Sequence, residues 1–406
     1  MRMAHIVFLR TAAADLTAGK PPLAGVPASA PLSAAAAAIP ASQEAAVAVW
    51  RDGASPLAAA VLGPLSSLDI VAFLASHAGG AAAAMGTPAG DVVAHEPALV
   101  REVEPHTRLI EIVELMKQGA RQVLVRKNIT EPSTVDKKPF APFYRAVLKI
   151  TGTPRAAAPG PAFSKSSSSP SPSRPPTFGC DKYCCLTRED VVRFLINCLG
   201  ALAPTPLQSI SSLGAVNRGY AHVEASAPAA EAAWKLPAEP RAVAVVRTGR
   251  DGSRAILADV SAHRLWRRDY AAAADAMASL SALDFAAGID GHAAAGCPDA
   301  DGACTGARRR EDAKEGDAVA AASPTRFSGR RAGSPARLTN QMMACHGRNA
   351  ALTCRATSSL AAVMAQMLSY RAAHIWVTEG EDDVLVGVVG YMEIFNAVTR
   401  DVAPPA

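Results

Sequence analysis

The sequence predicts a mixed α/β (α+β) chain of small sheets flanked by helices, built from four copies of one helix–strand–strand–helix unit. Three observations carry that prediction. One order of patterns recurs along the chain, and internal self-similarity is the signature of repeat architecture. Within each copy an apolar stripe of helical period stands beside two short β-rich runs joined by turn residues. Two stretches, 154–179 and 288–338, differ in composition from the rest and interrupt or separate the copies.

In chain order, the first copy reads PLSAAAAAI as a helix, AAVAVWRD and LAAAVLGP as strands around a GASP turn, and SSLDIVAFL as a helix. Its leading helix, nearly all alanine, is the weakest element. The second copy begins with TRLIEIVELMKQGARQVLVRKN (107–128), where Leu109, Val113 and Met116 share a helical face and QVLV is the strand. Its return strand KYCCL and helix TREDVVRFLINCL follow only after residue 181, so the Pro/Ser-rich tract lies inside this copy. That tract cannot bury enough apolar surface to offset its ordering entropy and is predicted to be disordered. The third copy reads APAAEAAWKL, RAVAVVRT, a GRDG turn, SRAILADV and SAHRLW. The fourth is the clearest: TSSLAAVMAQMLSY places Leu360, Val363, Met364, Met367 and Leu368 on one stripe after an N-capping Thr/Ser start, then AHIWVTE, GEDD, VLVGVVG and MEIFNAV complete the unit. The predicted segments are 15–78, 91–200 with its insert 154–179, 205–285, a flexible basic insert 288–338, and 340–400.

Length and charge bound the function. The 406 residues allow two or three domains. With 41 Lys+Arg against 36 Asp+Glu the net charge is only +5, which implies neither a nucleic-acid nor a membrane partner. Half the residues are hydrophobic, but alanine dominates them and buries little area. No apolar run is long enough to span a bilayer, and MRMAHIVFLR is too short for a signal-peptide core. The expected location is cytoplasmic and/or nuclear, and the lack of acids before Asp15 leaves an organellar transit segment open. The eight cysteines form no CxxC, so reduced thiols are expected, and zinc at Cys180, Cys184 and Cys185 is the lesser alternative. Arg308 to Arg310 could serve as a nuclear address, and Ser328 and Ser334 are candidate phosphorylation sites. No P-loop, G-x-S-x-G, HExxH or G-x-G-x-x-G pattern is present, so no enzyme is expected.

The junction between second strand and last helix carries the candidate chemistry. It reads Gly63-Pro-Leu-Ser66-Ser-Leu-Asp69 in the first copy and Cys-Leu-Thr187-Arg-Glu-Asp190 in the second. The third keeps Ser261 but has Arg264 where the acid stands, and the fourth keeps Glu393 but has Gly390 where the hydroxyl stands. Read alone, S/T-x-x-D is a capping box worth about 1 kcal/mol to its helix. It also exposes free N–H groups and a positive dipole end to an anion. Arg121, Arg241 and Arg371 each sit where a repeat enters its first strand; they could contact phosphate, or cap a solvated helix C-terminus. His374 and Trp376 alternate on one strand and share a side; Trp376 is read as core and His374 is left open.

Repeated four times with these flanks, the G-h-h-[S/T]-x-x-D junction resembles that of cystathionine β-synthase (CBS) domains, which pair into Bateman modules. Four copies with Ser/Pro-rich and basic inserts are most similar to plant-type CBS proteins related to the γ regulatory subunit of AMP-activated and SNF1-type kinases. The resemblance implies tandem CBS repeats in two Bateman modules, with pseudo-twofold repeats burying their helices against each other inside each module. It implies that Ser66, Asp69, Thr187, Asp190, Ser261 and Glu393 bind a nucleotide, carboxylates taking ribose hydroxyls and hydroxyls donating to phosphate. It further implies AMP, ADP or ATP as a regulatory ligand with no required cofactor, and a protein kinase catalytic or scaffold subunit as partner. The incomplete third and fourth motifs favour the alternative, a CBS-fold scaffold with degenerate clefts that binds no nucleotide.

Overall fold

The computed structural model describes residues 3–42, 46–53, 61–77, 79–94, 99–126, 183–265, 269–291, 351–380, 382–400 and 402. The predicted insert 154–179, all of 288–338 beyond residue 291, Cys180, Arg308 to Arg310, Ser328 and Ser334 lie outside these residues. The strands are β1 Gly25–Pro27, β2 Ala46–Trp50, β3 Val61–Ser66, β4 Val100–Val103, β5 Gln122–Arg126, β6 Tyr183–Thr187, β7 His222–Glu224, β8 Ala242–Thr248, β9 Arg254–Ser261, β10 Thr353–Arg355, β11 His374–Glu379 and β12 Val384–Gly390. Helices longer than one turn are α1 Met3–Arg10, α2 Ala13–Thr17, α3 Leu32–Ala41, α4 Ser67–Ser76, α5 Leu109–Lys117, α6 Arg188–Asn197, α7 Ala230–Trp234, α8 Tyr270–Ser279, α9 Ala282–Gly291, α10 Leu360–Tyr370 and α11 Tyr391–Thr399.

Each repeat builds the same small sheet. A three- or four-residue strand runs parallel to the first strand of a hairpin, whose second strand returns antiparallel. The turns are made where left-handed backbone is available, at Gly252 (φ 81°) in GRDG and at Gly380 (φ 73°) and Asp383 (φ 49°) in GEDD. The register sets the site. The last residue of each second strand lies opposite the first residue of the first strand: Ser66 against Ala46, Thr187 against Gln122, Ser261 against Ala242 and Gly390 against His374. Every junction therefore sits beside the start of its own hairpin. The third repeat departs from the pattern, since its trailing helix is divided into a single turn, Ala262–Leu265, and then α8.

Strands β2, β5, β8 and β11 are buried over nearly their whole length, so both faces of each sheet need cover. One face meets the sister sheet. Ala48, Trp50 and Val61 lie against Leu124, Tyr183 and Cys185 in the first module, and Ala244, Val246 and Ile256 against Trp376, Leu385 and Val388 in the second. The other face carries helices, whose outer stripes must be covered in turn. That cover comes from the opposite module. One apolar layer joins repeats 2 and 4 through Val113, Met116, Val192, Leu195, Met364, Met367, Ile394 and Phe395. A second joins repeats 1 and 3 through Leu32, Ile39, Leu68, Val71, Ala274, Met277 and Phe285. The expectation that helices are buried within a module is thus corrected: sheets make the modules, and helices bind one module to the other. An amphipathic stripe reveals that a face is buried but not against what.

Two further features break the symmetry. A single β9–β12 pairing, Val384 opposite Ala255, fuses the second module into one six-stranded sheet in the order β10-β11-β12-β9-β8-β7, while among the described residues the first module has two three-stranded sheets. The segment before the first repeat also crosses to the second, where Phe8, Ala13 and Leu16 join the core of repeats 2 and 4.

Met367 is 1% exposed in the layer between repeats 2 and 4. Met367→Ala should lower unfolding stability by about 2–5 kcal/mol in urea titration, whereas Ser369→Ala on the exposed face of α10 should change it by less than about 0.5 kcal/mol.

Candidate functional site

The two complete junctions are capping boxes. Ser66 Oγ accepts from the Asp69 amide at 3.3 Å, and Asp69 Oδ2 accepts from the Ser66 amide at 2.9 Å and its hydroxyl at 2.6 Å. Thr187 and Asp190 repeat the arrangement at 3.3, 2.8 and 2.7 Å. In the fourth repeat Gly390 offers only its amide, 2.9 Å from Glu393 Oε2. Close approach of a neighbouring segment explains a second glycine there: a Cβ on Gly387 would stand 2.5 Å from Val216 Cγ1 and 2.7 Å from the Asn217 carbonyl.

Because the helix layers cross between modules, all four junctions border one central cleft of about 230 Å³ that is partly open to solvent. Its wall takes Ser66 and Asp69 from repeat 1, Arg121, Thr187 and Arg188 from repeat 2, Glu239, Arg241, Ser261 and His263 from repeat 3, and Arg371, His374 and Tyr391 from repeat 4. Among the predicted residues, Ser66, Asp69, Thr187, Ser261, Arg121, Arg241 and Arg371 meet here, while Asp190 and Glu393 stand outside the wall.

The charges on this wall are cross-linked between modules. Arg241 of repeat 3 pairs with Asp69 of repeat 1, and its buried Nε has no hydrogen-bond partner among the described residues. Glu239 of repeat 3 accepts from Arg121 at 3.2 Å and Arg188 at 2.6 Å, both of repeat 2. Arg188 is held rigidly, donating also to the carbonyls of Ala120 at 3.0 Å and Met116 at 3.1 Å that close α5. Burial pulls the Arg121 guanidinium below its ordinary pKa, with Glu239 opposing.

Arg371 occupies an unusual place. It terminates α10 in the left-handed region at φ 53°. The corresponding residue after α5 is Gly119, at φ 110°: its amide bonds to Met116 as that of Arg371 bonds to Leu368, and the next amides bond back to Leu115 and Met367. Arg371 therefore stands two residues further from its strand than Arg121 and Arg241 do from theirs. A bulky residue there costs about 1–2 kcal/mol relative to relaxed backbone, and the side chain lines the cavity.

Asp259 is buried beneath the third junction, bonded to Arg264 Nε at 2.7 Å, to His374 Nε2 at 3.4 Å and to Ser261. Burial alone would raise its pKa, but Arg264 and His374 outweigh it and hold the carboxyl below the usual range. Arg264, at the position of the missing acid, thus serves an internal carboxylate. His374 and Trp376 do share a side, their rings 5.1 Å apart and nearly perpendicular, with Trp376 in the sheet core. Burial depresses His263 to about 4 against the pull of Asp259, so it is neutral at pH 7.

Sequence reading missed Lys20, Arg188, Glu239 and Asp259. Lys20 ion-pairs with Asp190 and donates to the Cys185 carbonyl at 2.6 Å. Only Asp259 left a usable trace, an acid two residues before Ser261 in an otherwise apolar strand. Cys184 and Cys185 are buried in β6, and among the described residues no group of three or more His, Cys, Asp or Glu could hold a metal ion.

Paired helix–strand–strand–helix repeats enclosing a shared charged centre define the tandem CBS-repeat architecture. The chain is 40% identical over 423 residues, 97% of its own length and 94% of the relative's, to the CBS domain-containing protein CBSX6 of Arabidopsis thaliana. It is 26% identical to CBSX5 of the same plant, over 95% of this chain and 96% of that one. Protein MJ1225 of Methanocaldococcus jannaschii, whose description relates it to g-AMPK, shares the fold at TM-score 0.52 and 10% identity, covering 95% of this chain and 99% of its own. No family model matches the chain. The chain belongs to the CBS domain-containing proteins.

The titrating groups make stability fall with acid. Lowered folded-state values at Asp190 and Asp259 contribute stability that is present above the ordinary carboxylate pKa, about 4, and lost below it. His263 must take up a proton on unfolding between its ordinary value and about 4, so stability also declines as pH falls from about 6.5 to 4. Urea titrations across pH should show both slopes, and His263→Gln should reduce the upper one without changing the lower, His222, whose pKa burial also lowers, supplying the remainder. Arg371→Gly should raise stability by up to about 1 kcal/mol by relieving the left-handed backbone.

Proposed function

We propose that the chain is a non-enzymatic regulatory protein whose central cavity takes an adenosine nucleotide, AMP, ADP or ATP, and transmits its presence to a partner. The observation that carries this reading is the convergence of arginines 121, 188, 241 and 371 on one cavity beside capped helix N-termini. A phosphate group entering there competes with Glu239 for Arg121 and Arg188, and with Asp69 for Arg241. Freed from Arg241, the Asp69 carboxylate accepts ribose hydroxyls in the role that the family resemblance implies, and Ser66 and Thr187 turn their hydroxyl protons from the capping carboxylates to phosphate. The exchanged ion pairs bridge the two modules, so ligand affinity differs between their arrangements. That difference is what a ligand needs to shift a conformational equilibrium. The partner of this reading is a catalytic or scaffold subunit of an SNF1/AMP-activated-type kinase complex, and co-purification tests it.

The second reading, a scaffold that binds no nucleotide, is favoured by one observation: the acids at these junctions already have internal partners, Asp69 in Arg241, Asp190 in Lys20 and Glu393 in Asn217. Calorimetry and thermal shift with AMP, ADP and ATP separate the two. Abundant adenylates require affinities of roughly 1 μM to 1 mM, about −8 to −4 kcal/mol. Heat and stabilisation at millimolar ligand are expected, with Asp69→Ala and Arg241→Gln each weakening binding by about tenfold or more; no response at millimolar ligand sinks the nucleotide reading.

A further inference from the structure

Two pseudo-equivalent residues reach across each module to the acid of the neighbouring junction. Lys20 lies five residues before β1 and Asn217 five before β7. Lys20 Nζ donates to the carbonyl of Cys185, two residues before the cap Thr187; the Asn217 backbone exchanges bonds of 2.9 and 2.8 Å with Val388, two residues before the cap Gly390. Each side chain then ends on the acid three residues past the cap, Lys20 on Asp190 and Asn217 Nδ2 on Glu393 Oε1 at 3.2 Å. The positions match but the chemistry differs. An amide leaves the Glu393 charge in place, whereas an ammonium cancels that of Asp190, and both members of the charged pair are only 7% exposed.

The segment carrying Lys20 is fixed at both ends. Behind it, Leu16 sits in the core of repeats 2 and 4, and ahead of it the Leu23 amide bonds to the Tyr183 carbonyl at 3.1 Å while its side chain joins the sheet core of the first module. Lys20 is therefore held over the second junction, and it engages the very oxygen of Asp190 that accepts from Thr187.

We infer that residues 18–24 form an intramolecular latch in which Lys20 closes the second junction, so that a nucleotide engages the Asp69 side of the cavity and not Asp190. The chemistry Lys20 displaces is a pair of neutral donors such as ribose hydroxyls, which bring no charge to the carboxylate. This rests on the nucleotide reading above, and the experiment separates the two.

The full chain is titrated with AMP by calorimetry, and hydrogen–deuterium exchange is followed over residues 18–24. Lys20→Met is expected to bind one further equivalent of AMP and to exchange about tenfold faster in that segment. Lys20→Arg should keep the wild-type values of both, and Lys20→Met with Asp190→Asn, which leaves no buried lone charge, should exchange fast yet gain no equivalent. An unchanged stoichiometry in Lys20→Met, where the wild type binds AMP, overturns the inference. If neither protein binds AMP, the nucleotide reading falls instead and exchange alone decides: protection unaltered by Lys20→Met overturns the latch.

Discussion

Everything at the centre of this protein depends on the way its apolar helix faces are covered. Each small sheet is buried on both sides, one against its sister and one against helices, and those helices are too few to cover themselves. The solution joins repeat 2 to repeat 4 and repeat 1 to repeat 3 through continuous cores containing residues such as Met116 with Phe395 and Val71 with Met277. Non-directional burial of this kind fixes orientation only by exclusion of water, but four units satisfying it together have their strand ends turned inward. Charged side chains at those ends are brought together as a result of apolar contacts elsewhere.

That concentration of charge has to be balanced internally. Arginines from repeats 2, 3 and 4 meet, and the acids paired with Arg121, Arg188 and Arg241, Glu239 and Asp69, come from the other module in each case. Part-buried pairs of this type add little net stability, because desolvation and solvent screening offset much of the attraction. In the proposed nucleotide reading their value lies in being exchangeable: an anion of suitable shape would replace Glu239 at Arg121 and Arg188 without leaving a cation bare. The same logic explains why Arg264 does not repel its surroundings: Asp259 beneath it supplies the counter-charge.

Locally encoded features were legible. Ser66 with Asp69 and Thr187 with Asp190 announce themselves because a capping box needs only four consecutive residues, and Arg121 and Arg241 because they precede a recognisable strand. What lay outside local pattern did not show. Glu239 is 118 residues from Arg121, and Lys20 is 170 residues from Asp190, with no spacing rule to link them. Arg371 was seen but set in register with the other two; only its left-handed backbone reveals that it replaces a glycine rather than a strand-leading arginine. The divided trailing helix of repeat 3 was likewise hidden, because alanine-rich sequence such as YAAAADAMAS carries helical propensity without a distinctive stripe.

The single bridge between Val384 and Ala255 makes the two halves mechanically unequal. In one half the two hairpins share that one backbone pairing, which sliding one repeat past the other would break. Among the described residues the other half joins its two sheets through side chains such as Trp50 and Tyr183 meeting across a seam, beside the Leu23 amide bond to Tyr183 and the Lys20–Asp190 pair. A shear between the repeats of the second module therefore has one backbone pairing to break in addition to its side-chain contacts.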